Sequence, residues 1–206
     1  YMQYIELKEH FKNFVVFSLN DIKKIEPSFH RQRLNEWQGK GYIKKVINEY
    51  YIFSDTEVEE SVFFVIAYTI YSPSYISFEM AFSYYRLIPE GVYTVTSATS
   101  RTTRKFRSET ATFAYRHIKS EFLFGYTLVA CKNQTFKIAE IEKSVLDYMY
   151  LNPSIKTAAD FEGLRFNKSS FLEQADMEKF KKYLRQFNSR SLEKRSDNFL
   201  TFIAHD

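Results

Sequence analysis

The sequence predicts an α+β protein: a small helical unit closed by a β-hairpin over residues 1–55, then a larger mixed α/β domain over residues 56–206 with an antiparallel sheet and C-terminal helices. Three observations carry this expectation. Helical apolar spacing recurs three times before Gly41, the pattern turns β-rich just after it, and residues 92–116 alternate apolar with polar side chains before helical spacing returns. With 45% hydrophobic residues in 206, the chain has enough apolar material for a substantial core. Five Gly and four Pro against 16 Tyr and 21 Phe describe an ordered chain with little linker.

Ile5, Leu7, Phe11 and Phe14 give the first helix, over Tyr4 to Asn13. Ser18 caps the second, with Asp21 as its capping-box partner and Leu19, Ile22 and Ile25 as the expected buried stripe, ending at Pro27. Ser28 is the expected cap of a third helix over Phe29 to Lys40, with Phe29, Leu34 and Trp37 inward and Gly39 and Gly41 ending it. Tyr42 to Val46 and Tyr50 to Phe53 then form a hairpin around Ile47-Asn48-Glu49, and Asp55 marks the boundary. Helix, helix, helix and hairpin is the order of a winged helix-turn-helix, whose third helix enters a DNA major groove.

Beyond Asp55, helices are expected over Glu57 to Tyr71 and from Ser77. Strands follow within Val92 to Arg116, over Gly125 to Ala130 and over Thr135 to Ala139, and helices over Ile141 to Leu151, Asp176 to Phe187 and Leu192 to Ile203. The uncharged stretch Ser61 to Phe78 holds only about ten strongly apolar positions, half a membrane span, and reads as a buried core helix.

On the third helix, Ser28, His30, Arg31, Gln32 and Asn35 are expected on or near the outer face towards its N-terminal end. Arg pairs bidentately with guanine and Gln or Asn with adenine, while Lys44 and Lys45 on the wing suit phosphate oxygens. A second basic segment holds Arg101, Arg104, Lys105, Arg107, Arg116 and Lys119, opposed only by Glu109; it reads either as a patch for a polyanion or acidic protein, or as an ordinary charged sheet face. The net charge of +4 is compatible with a polyanionic partner without demanding one.

No catalytic residues, metal site or cofactor are expected. His10, His30, His117 and His205 are scattered, no Gly-rich phosphate loop or nucleophile elbow occurs, and the acidic pairs Glu59-Glu60 and Glu140 with Glu142 suit helix starts. The lone Cys131 reads as a packing residue in a reducing compartment, and Tyr1-Met2-Gln3 lacks a signal-peptide pattern, so the cytoplasm is the expected location.

The run from Pro73 to Glu90, containing Tyr75-Ile76-Ser77-Phe78-Glu79 and Tyr84-Tyr85-Arg86-Leu87, resembles the central motif of AbiEi-type antitoxins of type IV toxin–antitoxin systems. The resemblance continues through Tyr93 to Ser97, Thr103 to Phe106, Tyr115 to Lys119, Phe124-Gly125-Tyr126 and Ile138 to Asp147. Arg86 stands where that family usually has Gly, and Phe82 where Leu is usual. The resemblance implies a bacterial transcriptional repressor: a winged-helix domain binding inverted repeats in its own promoter, and a C-terminal domain opposing a cognate nucleotidyltransferase-like toxin, with direct contact left open. The competing readings are a protein-interaction module and a stand-alone transcriptional regulator with no toxin partner.

Overall fold

A computed structural model describes residues 2–47, 49–89, 91–109 and 111–204. Of the residues singled out above, Tyr1, Asn48, Glu90 and His205 lie outside that set. The described residues form a mixed α+β structure with two sheets.

The N-terminal part contains α1 (Tyr4–Phe11), β1 (Phe17–Ser18), α2 (Leu19–Ile25), α3 (Gln32–Gly39), β2 (Ile43–Ile47) and β3 (Tyr50–Phe53). Ser18 caps α2 as expected: its hydroxyl accepts from Asp21 N, and the Asp21 carboxylate accepts from Ser18 N at 3.0 Å. The apolar stripe is narrower than expected. Leu7 and Phe11 of α1 and Leu19 and Ile22 of α2 are buried, but Ile5 is 75% exposed and Ile25 is 44% exposed. These helices are only eight and seven residues long, and each contributes two fully buried apolar positions. The third helix starts later than expected, and Ser28 does not cap it. Phe29 N instead donates to Glu26 O at 3.0 Å, closing a turn with Pro27 at the position where a fixed proline φ is favoured. Phe29 is nevertheless buried, its ring centroid 5.7 Å from that of Trp37. The two-residue β1 pairs with β3, giving an antiparallel sheet ordered β1-β3-β2.

The rest of the chain contains α4 (Glu60–Ile70), β4 (Ser74–Ile76), α5 (Phe78–Tyr84), β5 (Thr94–Thr99), β6 (Arg104–Arg107), β7 (Thr112–His117), a 3-10 turn (Ser120–Phe122), β8 (Tyr126–Cys131) and β9 (Gln134–Ala139). It ends in α6 (Ile141–Leu151), α7 (Ala158–Gly163), α8 (Lys168–Gln174), α9 (Met177–Phe187) and α10 (Arg190–Ala204). The sheet order is β6-β7-β5-β4-β9-β8. It is mixed, not antiparallel: β5 runs parallel to β7 and β4 parallel to β9. The cause is topological. After β5 the chain passes over one strand position, returns as β6, and inserts β7 into the gap.

Strand alternation sends Val95, Phe113, Tyr115, Phe136 and Ile138 to the sheet face covered by α4, while Tyr75, Ala98 and Ala139 belong to the core with α6, α9 and α10. At the centre of that second core lies an ion pair between Lys143 and Asp147, neither side chain having any solvent exposure. Tyr75 OH donates to Asp147 Oδ2 at 2.8 Å, Ser77 OH donates to the same oxygen at 2.9 Å, and Lys143 Nζ donates to the Tyr75 oxygen at 2.8 Å. The ammonium lies 4.7 Å from the Phe124 ring centroid and 4.9 Å from that of Phe187. Burial pushes the Lys143 ammonium pKa down and the Asp147 carboxyl pKa up, against their mutual attraction and the hydroxyl donors. The chain crosses this cluster at Gly125, whose φ of +66° favours glycine and whose added Cβ would meet Tyr183 at 3.0 Å and Lys143 at 3.1 Å.

Arg86 has φ 58°, the left-handed conformation that favours glycine, just after α5. Phe82 is buried, 5.0 Å from Tyr148 and 5.8 Å from Phe166 between ring centroids.

The two parts of the chain meet at the turn between β8 and β9. Gln134 Oε1 accepts from Val15 N at 2.7 Å and Val16 N at 3.1 Å, its Nε2 donates to Val16 O at 3.0 Å, and Asn133 N donates to Asn13 O at 3.0 Å. Val15, Val16, Val46 and Ile52 join the same buried cluster as α4 and the sheet.

Two expectations follow. Gln134→Ala leaves two backbone donors without their acceptor and should cost about 1–3 kcal/mol in chemical denaturation, with faster amide exchange at Val15 and Val16; unchanged exchange there contradicts the contact. Lys143→Met or Asp147→Leu, each stranding a buried partner, should cost about 3–5 kcal/mol, whereas the double variant Lys143→Met/Asp147→Leu should cost much less than the sum of the two; additive losses contradict the pairing.

Candidate nucleic-acid interface

One exposed groove is lined by Gln38 of α3, by the β2–β3 hairpin and by the turn between β6 and β7. Leu34 and Trp37 bury one side of α3, and Arg33 lies with its guanidinium carbon 5.5 Å from the Trp37 ring centroid. The opposite side presents Gln32 and Asn35 to solvent, with Glu36 as the one carboxylate of the helix. Ser28, His30 and Arg31 are also exposed, in the segment leading into α3.

Arg31 links the helix to the hairpin. Its Nη1 lies 3.7 Å from Glu49 Oε1, both side chains being about half exposed (56% and 44%). An exposed pair at that length contributes little, on the order of 0–1 kcal/mol, so replacing Glu49 by a phosphate oxygen costs the protein little. The Tyr51 phenol is a neighbour: burial pushes its pKa up, against the pull of the Arg31 guanidinium.

Lys44 and Lys45 stand opposite Ile52 and Tyr51 on the edge strand β2, both exposed, while Ile43 and Val46 are buried. A register shift between Lys45 and Ile47 marks a bulge just after the lysine pair, a feature that increases local strand twist. Beside β2 runs an open groove of about 830 Å³, lined by Gln38, Lys44, Lys45 and the residues Arg107, Ser108 and Glu109. The groove therefore brings the two hairpin lysines together with one member of the second basic segment.

The other members of that segment do not join them, and the six do not share one face. Arg101 lies 4.3 Å from the Tyr71 ring centroid and donates to Ser72 O at 3.3 Å. Arg104 sits over Tyr71 and Phe106, at 5.8 and 5.6 Å. Arg116 pairs with Glu79 at 2.8 Å, and Lys119 pairs with Glu121 at 3.6 Å. Lys105 and Arg116 line a separate cleft on the far side of β7 from Phe113 and Tyr115. Alternation along β6 turns Arg104 to the face opposite Lys105 and Arg107, and Arg101 and Lys119 lie outside the strands, so the charge run does not form one contiguous patch.

The remaining candidates have local roles. Glu140 accepts from Tyr183 OH and, at 3.3 Å, from Lys179 Nζ, and Glu142 accepts from Asp176 N at 2.7 Å. Cys131 is half-buried, its thiol donating to Ser61 Oγ at 3.5 Å. Among the described residues no group of three His, Cys, Asp or Glu side chains is placed to hold a metal ion, and no helix is long and apolar enough to cross a membrane. The residues that sequence reasoning missed are Gln134, whose amide binds the Val15–Val16 backbone, and the Tyr75–Ser77–Lys143–Asp147 cluster, for which the sequence signal is the i,i+4 spacing of Lys143 and Asp147. No protein-family model matches the chain, and no curated protein matches it.

Proposed function

We propose that the chain is a DNA-binding transcriptional repressor whose N-terminal part acts as a winged helix, with α3 in the major groove and the β2–β3 hairpin as the wing. The observation that carries this reading is the sidedness of α3: Leu34 and Trp37 point inward, Gln32 and Asn35 outward, and Arg31 bridges to the hairpin that presents Lys44 and Lys45. Base-edge contacts fall to Arg31, Gln32 and Asn35, with His30 and Ser28 beside them, and phosphate contacts to Lys44, Lys45 and Arg107. A cytoplasmic protein acting on inverted repeats in its own promoter fits this assignment.

We infer further that the repressor is an antitoxin of the AbiEi type, opposing a nucleotidyltransferase-like toxin without any requirement for direct contact. Support comes from the sequence blocks that resemble that family: those containing Tyr75 and Ser77 and those containing Lys143 and Asp147 are joined by hydrogen bonds, and the residue standing at the usual glycine has φ 58°.

Titrating the full chain against a duplex from its own promoter should show affinity falling steeply with salt and a preference over scrambled duplex. Arg31→Glu should weaken promoter binding by about tenfold or more, and Lys45→Ala should lower the salt slope by about one phosphate contact while affecting all sequences alike. Equal affinity for promoter and scrambled duplex, or an Arg31→Glu variant that binds as the parent does, overturns the assignment.

A further inference from the structure

A second cleft, of about 620 Å³, opens beside β5 and β7 and takes no part in the proposed duplex interface. Its volume lies within the roughly 300–1,000 Å³ typical of small-molecule sites. Register explains the space: Thr96 and Lys105 flank Ala114, so the floor between the lysine and α5 is made of short side chains. Phe82, Ile88, Val92, Tyr148 and Leu164 supply apolar walls.

The polar groups are few and point to complementary ligand chemistry. Arg116 Nη2 donates to Glu79 Oε1 at 2.8 Å, while Glu79 Oε2 is shielded from solvent and takes no hydrogen bond within the described structure. A shielded carboxylate oxygen without a donor is unfavourable. Lys105 is exposed and makes no ion pair among the described residues, and the charged groups of the described lining are Lys105, Arg116 and Glu79, two cations and one carboxylate. At the rim Tyr93 is 92% exposed, a large ring held in water beside an apolar recess. Such a ring gains by stacking on a flat partner.

We propose that this cleft binds a small molecule joining a flat ring to an anionic group, the chemistry of a mononucleotide. The ring stacks on Tyr93 against the apolar wall, and the anionic group lies between Lys105 and Arg116. The site makes the chain an effector-binding protein as well as a repressor, and it stands independently of duplex binding.

Isothermal titration of the full chain with AMP, GMP, CMP and UMP in turn, and with inorganic phosphate, tests the inference. At least one mononucleotide should saturate at one per chain while phosphate alone does not. Tyr93→Ala and Lys105→Glu, both at exposed positions, should each weaken that binding by roughly tenfold with an unchanged melting temperature. Failure of all four nucleotides to bind, equal binding of phosphate, or binding that survives both substitutions overturns it.

Discussion

The side-chain amide of Gln134 stands in for a backbone peptide group: its carbonyl oxygen accepts from Val15 and Val16 N–H, and its NH₂ returns a bond to Val16 C=O. Residues 15 and 16 lie just before β1, and Val15 and Val16 are buried against the same cluster as α4. The amide supplies direction where apolar packing alone is non-directional. With those residues fixed on the β8–β9 turn, β2 lies beside the β6–β7 turn, and Lys44, Lys45 and Arg107 share one groove. The charge arrangement at the candidate interface is therefore a consequence of how the two parts dock.

The larger part is organised about a polar centre. Lys143 and Asp147, one helical turn apart on α6, are satisfied by Tyr75 from β4 and Ser77 at the start of α5, so a single network ties together strand, helix and crossover. Two charges without solvent are unfavourable unless each is paired and hydrogen-bonded, which couples the correct placement of β4 to that of α6. Glycine suits position 125 because its φ is +66° and an added Cβ would press on Tyr183 and Lys143, at 3.0 and 3.1 Å.

Much of the local structure was legible in the sequence. The Ser18–Asp21 cap, the inward Phe29, Leu34 and Trp37, the two-stranded hairpin and the helix over Ile141 to Leu151 all follow from capping chemistry and periodicity. The features that did not follow are short or non-local. β1 and β4 have two and three residues, too few for alternation to show, and the parallel pairs β5–β7 and β4–β9 depend on a crossover that no local pattern encodes. Ser28 resembled a helix cap but sits in the turn that Pro27 directs. At the candidate interface the outward polar residues of α3 and the hairpin lysines were legible, whereas the scattering of Arg101, Arg104, Lys105, Arg116 and Lys119 appears only once their separate partners are in place: Tyr71 for Arg101 and Arg104, Glu79 for Arg116 and Glu121 for Lys119.

The proposed duplex lies across α3 and the β2–β3 hairpin. Amide hydrogen exchange on the full chain, with and without a duplex from its own promoter, reads that placement residue by residue. New protection is expected at residues 31–35 and 44–47, with the core helix over residues 141–151 unchanged. Protection confined to residues 101–119, or none in α3 and β2 while the duplex is bound, would contradict it.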